Sequence, residues 1–305
     1  MKILFVSSGN KEKGISPIVH AQGQSLVDKG ENIEYFKIKG KGVVGYLKGV
    51  FELRKVKKDF DIIHAHYSLS GFVAALAFHK RIVVSLMGTD AYKSGFQKIA
   101  IKLCYKLFWS KTIVKTSKMK KTLGFSNAVV IPNGVDISFF KPLNKEESRK
   151  KINIPLDKKV ILFVSNPTRR EKNFDLAKKT VEYLKGDNYL LLPVFNVPHN
   201  DIVFYLNAAD VLIITSLWEG SVNVVKEAMA CNLPVVSTDV GDVKENTRGL
   251  DGYFVGESTP ESLAKGILKV LNCTQEIKAR ERLIELGLSS EKIVGRLLEV
   301  YNSVL

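Results

Sequence analysis

The sequence predicts an α/β protein of two domains, each built on a parallel β-sheet. Apolar runs of strand length alternate with helical stretches along the whole chain, which is the pattern of parallel α/β sheets. The pattern restarts near the middle, and 305 residues are enough for two domains that each bury a core. A charged region without continuous apolar periodicity, Pro142 to Asp157, leads into the second half. We therefore expect domains at residues 1–150 and 151–288, followed by a terminal segment, 289–305.

The predicted strands are short, apolar and rich in β-branched residues, six in the first half and five in the second. They are Ile3–Ser7, Ile33–Ile38, Ile62–Tyr67, Ile82–Leu86, Thr112–Lys115, Ala128–Ile131, Val160–Val164, Tyr189–Leu192, Val211–Thr215, Pro234–Ser237 and Tyr253–Val255. The terminal segment places Ile293, Leu297, Val300 and Tyr301 on one helical face, so we expect a helix that packs back on the first domain. Ligands of open parallel sheets bind beyond the carboxyl ends of the strands, and two such sheets facing each other would frame a cleft.

The net charge of +15 lies almost entirely in the first half of the chain. Residues 1–150 contain 27 Lys and Arg against 11 Asp and Glu, whereas residues 151–305 contain 19 against 20. One basic stretch combines apolar residues at about helical spacing with lysines: Phe96, Ile99, Leu103, Leu107 and Phe108 among Lys98, Lys102, Lys106 and Lys111. This pattern fits a helix lying on an anionic membrane surface, or equally an ordinary surface helix with its apolar stripe in the core. Nucleic acid is not expected as a partner, since no nucleic-acid-binding motif accompanies the charge.

Other features of the composition indicate an intracellular protein. No apolar stretch approaches the length needed to cross a bilayer, and the start of the chain does not read as a signal peptide. The three cysteines, Cys104, Cys231 and Cys273, are far apart and show no metal-ligand spacing. We expect a cytoplasmic protein, with peripheral association with the inner face of the cell membrane as a further hypothesis.

The segment from Thr215 to Ala230 carries the strongest functional signal, because it places two carboxylates eight positions apart across a strand end, a loop and the start of a helix. A helix N-terminus has unpaired N–H groups and a positive dipole end, which suit a phosphate. Glu219 would lie in the loop beside that anion, and Glu227 deeper on the helix. The alternative is a surface helix with solvated acids.

In each half of the chain, the loop that follows the first strand adds candidate anion-binding residues. In the second half, the loop from Ser165 to Asn173 offers Arg169, Arg170 and Lys172 at the carboxyl end of a strand, where cations would neutralise a diphosphate leaving group. In the first half, Ser7 to Pro17 is either a loop that faces a phosphate or a plain connection.

The first half also contains polar residues at strand ends. His64 and His66 alternate on one strand and therefore face the same side. A hydrogen-bonding role at a cleft is favoured over metal binding, since no suitable third ligand is apparent. Asp59 and Asp61 precede that strand, so a turn or cap is favoured over an Asp-x-Asp metal site. Asp90 follows the fourth strand, where it would accept a hydrogen bond from a substrate hydroxyl or serve as a turn residue.

The whole arrangement resembles glycosyltransferase family 4, the retaining enzymes with the GT-B fold of two facing Rossmann-like domains. Glu219–Pro234 looks like the family's Glu-x7-Glu motif and its continuation, and Ile131–Asp136, followed by Phe140 and Pro142, is similar to the segment that links the family's domains. Further similar segments are Asp61-Ile62-Ile63-His64-Ala65-His66, Gly88-Thr89-Asp90, Ala209-Asp210 and Asp239-Val240-Gly241.

The resemblance implies a retaining, metal-independent hexosyltransferase that moves a sugar from a nucleotide sugar to a glycan or a polyprenyl-linked acceptor in polysaccharide or cell-envelope synthesis. The first domain would bind the acceptor and the second the nucleotide sugar, with no cofactor. The implied catalytic residues are Glu219, Lys172, Arg169 and His66. The implied donor-binding residues are Glu227, Asn166, Arg170, Gly220, Ser221, Val222 and Asn223. The candidate acceptor-binding residues are Gly14, Ser16 and Asp90.

Three departures from the family pattern bear on these roles. Met87-Gly88 stands where many members have His-Gly, which makes His66 the candidate substitute. Ser165-Asn166 stands where the phosphate loop usually opens with Gly-Arg, which leaves Arg169 or Arg170 as the cation. The stretch from Lys185 to Asn200 is short, so the site for the base would be trimmed. The alternative functions are a catalytically inactive module that binds a glycan or partner, and a nucleotide-sugar epimerase on the same fold.

Overall fold

The computed structural model describes residues 1–10, 14–40, 42–186 and 188–305. These form two compact units. Unit 1 comprises Met1–Gly134 together with Ser290–Leu305, and unit 2 comprises Val135–Ser289. Residues 11–13 of the predicted anion-facing loop lie outside the described residues.

Unit 1 is built on a six-stranded parallel sheet with the strand order β2-β1-β3-β4-β5-β6. Its strands are β1 (Lys2–Ser8), β2 (Asn32–Ile38), β3 (Ile62–His66), β4 (Ile82–Ser85), β5 (Lys111–Val114) and β6 (Val129–Val130). The connecting helices are α1 (Pro17–Val27), α2 (Gly42–Val56), α3 (Ser68–Leu76), α4 (Gly95–Leu107) and α5 (Ser117–Leu123). The central strands are buried on both faces, which explains their continuous apolar runs in the sequence.

Unit 2 contains a five-stranded parallel sheet with the order β11-β10-β9-β7-β8. Its strands are β7 (Lys159–Val164), β8 (Tyr189–Val194), β9 (Val211–Ile214), β10 (Val235–Thr238) and β11 (Tyr253–Gly256). The helices are α6 (Lys145–Lys151), α7 (Phe174–Tyr183), α8 (Ile202–Ala208), α9 (Asn223–Ala230), α10 (Val243–Thr247), α11 (Pro260–Leu271) and α12 (Ala279–Glu285). Apolar clusters cover both faces of this sheet.

All eleven strands lie where the sequence predicts them, with ends that differ by one or two residues. The position of the domain boundary differs more. The sequence assigns residues 135–150 to the first domain, whereas they belong to unit 2. Val135 and Phe140 pack in the core of unit 2, and Arg149 of α6 pairs with Asp210 at the start of β9. Because many residues of this segment are charged or polar, the burial of Val135, Phe140 and Arg149 was not recognised from the sequence.

The last helix, α13 (Ser290–Asn302), packs on the sheet of unit 1, as predicted. Its apolar residues join Ile3 and Phe5 of β1 in one core cluster. Within this core the Tyr301 hydroxyl is hydrogen-bonded to His64 Nδ1 (2.6 Å), and His64 Nε2 is hydrogen-bonded to the Ser85 hydroxyl (2.8 Å). Burial is the main reason that the pKa of His64 lies well below its usual value, so this ring is neutral.

We expect Tyr301→Phe to lower the free energy of unfolding by about 1–2 kcal/mol, because it leaves a ring nitrogen of a buried histidine without its partner. Urea titration measures this change. Tyr183→Phe, at an exposed position of α7, is the control and should have little effect. Equal losses in the two variants would show that the His64–Tyr301 hydrogen bond does not stabilise the terminal helix.

Candidate active site

The loops that follow β7 and β9 lie side by side at the carboxyl edge of the second sheet, because these strands are neighbours. Two hydrogen bonds fasten them together. The Thr215 hydroxyl donates to the Lys172 carbonyl (2.9 Å), and the Leu217 N–H donates to the Glu171 carbonyl (2.9 Å). The β7 loop closes with a 3₁₀ turn, Arg170–Lys172, and α7 follows it. Residues that are 43 and 46 positions apart in the sequence therefore meet at one edge.

Lys172 and Glu219 form an ion pair at this junction. The same Glu219 oxygen accepts a hydrogen bond from the Ser216 hydroxyl (2.8 Å). Both charged side chains are largely but not completely buried, with 18% and 17% of their surface exposed. Partial burial weakens solvent screening and leaves the pair open to a ligand. The predicted convergence of Lys172 and Glu219 is therefore present in the structure.

The other cations of the β7 loop are more exposed. Arg169 donates through Nε to Glu171 (2.8 Å), and Arg170 lies on the surface at the start of the 3₁₀ turn. Asn166 accepts hydrogen bonds from the Thr168 N–H and hydroxyl, both at 2.9 Å, and so shapes the turn. The roles predicted for Asn166, Arg169 and Arg170 in binding a nucleotide sugar stay predictions. The β7 loop contains all three predicted cations, the third being Lys172.

The start of α9 differs from the predicted helix terminus with unpaired N–H groups. The Val222 N–H donates to Asp242 Oδ1 (2.9 Å), and the Ser221 hydroxyl donates to Asp242 Oδ2 (2.7 Å). One N–H group at the start of α9, that of Val222, is therefore already hydrogen-bonded to a carboxylate of the protein. Gly220 and Asn223 flank this contact at the end of the loop and the first residue of α9.

Glu227 lies one turn into α9 with only 12% of its side chain exposed. Burial raises the pKa of Glu227 to about 7, against an opposing effect of the Lys226 charge. His199 lies 3.8 Å away, measured from Nε2 to the Glu227 carboxylate, and burial lowers the pKa of this histidine. Glu227 therefore titrates close to neutral pH beside a neutral imidazole.

A cavity of about 620 Å³ opens beside the loop that contains Glu219. Its walls come from the ends of β9, β10 and β11, and they include Ser216, Leu217, Thr238, Asp239 and Glu257. The lining combines polar side chains with the apolar residues Leu217, Val240 and Val255, and the cavity has room for a ligand next to Ser216, which is hydrogen-bonded to Glu219.

In unit 1, His66 is buried at the carboxyl end of β3, against the rings of Phe5 and His64. Burial lowers the pKa of His66 to about 3, with a smaller contribution from the charge of Lys115, so the ring is neutral. Its Nε2 has no hydrogen-bond partner among the described residues. Among those same residues, no three His, Cys, Asp or Glu side chains are arranged to hold a metal ion. The catalytic role of His66 stays a prediction.

Of the candidate acceptor-binding residues in unit 1, Asp90 has a structural role. Asp90 is buried, and its two oxygens accept the N–H groups of Ser68 (3.0 Å) and Met87 (2.8 Å), which is the turn role considered for it. Gly14 has a φ of +72°. Ser16 precedes α1 with Pro17 at its first turn, as predicted, but within the described residues its side chain makes no capping hydrogen bond.

Sequence reasoning missed three residues that shape the site: Asp242, Lys226 and His199. No role was assigned to Lys226 from the sequence, and its position between Val225 and the apolar run Ala228 to Ala230 is the signal that could have identified it. Asp242 follows a segment recognised only for its similarity to a family, and nothing in the sequence links it to Val222.

Two family profiles match the chain. Residues 11–139 match the family described as Glycosyltransferase Family 4, and residues 186–273 match the family described as Glycosyl transferases group 1. Together the matches cover regions of both units, including the loop of Glu219 and helix α9.

Curated relatives are similar over most of the chain. The putative teichuronic acid biosynthesis glycosyltransferase TuaC of Bacillus subtilis (strain 168) is 29% identical over 238 residues, 68% of this chain and 61% of TuaC. The UDP-Gal:alpha-D-GlcNAc-diphosphoundecaprenol alpha-1,3-galactosyltransferase of Escherichia coli is 24% identical over 311 residues, 84% of this chain and 79% of that enzyme. The chain thus spans about three-fifths of the length of TuaC.

Solved structures match the fold over nearly the whole chain. Sucrose-phosphate synthase from Thermosynechococcus elongatus superposes with a TM-score of 0.81 at 18% identity, covering 99% of this chain and 98% of that one. Anabaena HepE, solved in complex with UDP, superposes with a TM-score of 0.81 at 17% identity, covering 99% and 100%. These matches confirm the predicted GT-B fold. The two family matches together cover more than two thirds of the chain, and with the predicted motifs they show that it belongs to glycosyltransferase family 4, among the group 1 glycosyltransferases.

Proposed function

We propose that this protein transfers a hexose, with retention of anomeric configuration, from a nucleotide sugar to a glycan or polyprenyl-linked acceptor in cell-envelope or polysaccharide synthesis. The observation that carries the proposal is the Lys172–Glu219 ion pair at the carboxyl edge of the second sheet, in a loop with two further cations and beside a cavity that Ser216 lines. The similarity to TuaC and to the Escherichia coli galactosyltransferase, and the UDP-glucose complex of HepE, support this class of substrates. We assign the donor to unit 2 and the acceptor to unit 1.

The proposed reaction exchanges one bond at the anomeric carbon for another. The bond from this carbon to the β-phosphate oxygen breaks, and a bond to the acceptor hydroxyl oxygen forms on the same face. The hydroxyl proton passes to the departing phosphate oxygen. Lys172, with Arg169 and Arg170, would stabilise the charge that grows on the diphosphate, so we propose that the reaction needs no metal. Glu219 would hold the donor sugar and Glu227 the ribose hydroxyls.

We expect Glu219→Gln and Lys172→Met to lower kcat about 10²–10³-fold, because each removes a charged group that acts at the reacting diphosphate and sugar. The measurement is the release of nucleotide from a panel of nucleotide sugars that begins with UDP-glucose, with a lipid-linked acceptor. Lys178→Met, at an exposed lysine of α7, is the control. Nucleotide binding without turnover in the wild type would instead favour an inactive binding module. Conversion of the sugar without transfer would indicate an epimerase.

We expect the affinity for a UDP-sugar to fall about tenfold between pH 8 and pH 6, because only ionised Glu227 accepts hydrogen bonds from both ribose hydroxyls and its pKa is about 7. The sign follows from the raised pKa: the competent form is present above pH 7 and is lost as the pH falls. A UDP-sugar is the suitable probe, since its diphosphate diester does not titrate in this range. Protection against thermal unfolding measures the affinity.

Glu227→Gln should bind the UDP-sugar more weakly and without this pH dependence. Burial lowers the pKa of His199, which moves the titration of this histidine toward the acid end of the measured range. An equal pH dependence in wild type and Glu227→Gln would contradict the role proposed for Glu227.

We also propose that unit 1 binds an anionic membrane surface. The apolar stripe of α4 faces outward: Phe96, Ile99, Leu103 and Leu107 are 82%, 65%, 52% and 66% exposed. The alternative considered from the sequence, in which this stripe lies in the core, is therefore wrong. Exposed Lys102 and Lys106 accompany the stripe. Apolar side chains flanked by cations suit a bilayer with anionic headgroups.

A second helix extends this surface. The exposed apolar residues of α2 are Val43, Val44, Leu47 and Phe51. Helix α3 packs against both α2 and α4, so the two outward stripes belong to the same helical layer of unit 1. Within the part of the chain that the structure describes, no helix is long and apolar enough to span a bilayer. Surface binding by these helices would bring a lipid-linked acceptor to unit 1.

We expect the double substitution Ile99→Ser with Leu103→Ser to lower binding to phosphatidylglycerol vesicles by at least about tenfold, given about 1.5–3 kcal/mol for burying each side chain. Flotation measures the bound fraction. The matched control is Leu268→Ser with Ile284→Ser, at exposed positions of unit 2. Equal flotation with phosphatidylcholine and phosphatidylglycerol would contradict an electrostatic contribution. Loss of a concentration-dependent dimer, with no change in flotation, would show that the stripe contacts a second copy.

A further inference from the structure

A buried ion pair lies directly behind the loop that carries Glu219. Lys226 of α9 has 1% of its side chain exposed, Asp242 has 6%, and the Lys226 Nζ lies 3.3 Å from Asp242 Oδ2. Removing two charges from water is costly, and an apolar pair of similar volume often stabilises a fold equally well. Lys226 lies among the buried apolar residues Val225, Ala228 and Met229 of α9, so the presence of this pair calls for an explanation beyond stability.

The ion pair is connected to the loop through Ser221 and Val222. The Ser221 hydroxyl donates to Asp242 and accepts from the Lys226 ammonium, and the Val222 N–H donates to the other oxygen of Asp242. Burial by itself raises the pKa of Asp242, but the charge of Lys226 and these hydrogen bonds outweigh it and keep the pKa low. Asp242 is therefore ionised, and the end of the loop is fixed by hydrogen bonds to a charged group.

The backbone brings Asp242 to the loop by a close approach at Gly241. This residue has a φ of +57°, and a Cβ added there would lie 2.8 Å from the Gly220 carbonyl oxygen and 3.3 Å from Glu219 Cβ. Any side chain would push the two loops apart or strain the left-handed backbone. The loop after β10 thus lies directly against the loop that carries Glu219.

We propose that Lys226 and Asp242 are positioning residues that hold the motif loop, residues 216–222, in the geometry in which Glu219 meets both Lys172 and the donor. The effect of this ion pair on turnover rests on the proposed function, whereas its effect on the mobility of the loop does not. Near the start of this loop, Ser216 is hydrogen-bonded to Glu219, and at its end Val222 is hydrogen-bonded to Asp242. A short loop that is fixed at both ends leaves the Glu219 carboxylate little freedom to move.

Lys226 also acts on Glu227, its neighbour in α9. Its charge opposes the effect of burial on the pKa of Glu227. The other titratable groups facing Glu227 are His199, from the turn that precedes α8, and Cys231 of α9, whose own pKa is raised to about 12 mainly by burial. Both are uncharged near neutral pH. Lys226 is therefore the charged neighbour that keeps Glu227 within reach of ionisation.

The test compares Lys226→Met and the double variant Lys226→Met with Asp242→Asn. In both, we expect amide hydrogen exchange of residues 216–222 to rise about tenfold and kcat to fall about tenfold, since small displacements of catalytic groups are costly. The double variant should regain thermal stability, because it contains no unpaired buried charge. In both variants the pH midpoint of UDP-sugar binding should move upward, which a purely structural role of the pair would not produce.

Arg149→Met is the matched control. It removes a similarly buried cation from Asp210 at the opposite, amino-terminal edge of the same sheet, so it should lower stability without changing exchange at residues 216–222 or kcat. Wild-type exchange and kcat in the double variant would overturn the proposal. A wild-type protein that turns over no nucleotide sugar would refute the proposed function, and the exchange measurement would still decide the role of the pair.

Discussion

The ion pair between Lys172 and Glu219 is the interaction on which the rest of the candidate site depends. Parallel strands end at one edge, so β7 and β9 deliver a cation and a carboxylate to the same place. The pair also meets a physical requirement of the proposed chemistry. A cation that must stabilise a departing diphosphate has to stay in place when no donor is bound, and Glu219 supplies a partner of opposite charge.

The same requirement recurs behind the loop. Lys226 neutralises Asp242, which already accepts a hydrogen bond from the start of α9. An uncompensated carboxylate at that position would repel the phosphates that the site is proposed to bind. Because Lys226 neutralises this charge, Asp242 does not oppose the cations of the β7 loop. The total charge of the second half of the chain is close to zero, yet the candidate site contains two ion pairs, Lys172–Glu219 and Lys226–Asp242.

The sequence predicted what depends on local pattern. Each strand appeared as a short apolar run, and the order of motifs placed Lys172 and Glu219 at strand ends, where topology brings them together. It could not predict contacts set by packing between distant segments. The hydrogen bond of His64 to Tyr301 joins β3 to the last helix, and Asp242 reaches Val222 only because Gly241 permits the close approach of two loops. Likewise, the sequence assigned residues 135–150 to the first domain, although Val135 and Phe140 are buried in the core of unit 2.

The two units handle apolar and charged residues in different ways, and this difference bears on how a transferase could meet its substrates. In unit 2 buried charges such as Arg149 and Asp210 are paired, and the β7 loop carries Arg169, Arg170 and Lys172. In unit 1 the excess of lysines is accompanied by apolar side chains that point into solvent on α2 and α4. Exposed Phe96 and Ile99 bring no stability to an isolated domain, and they become favourable only when another surface covers them. A donor that is small, anionic and water-soluble needs a compact cationic pocket, whereas an acceptor with a lipid tail needs a broad surface that binds the bilayer from which it comes. The distribution of charge and apolar surface between the units matches the proposal that unit 2 binds the donor and unit 1 the acceptor.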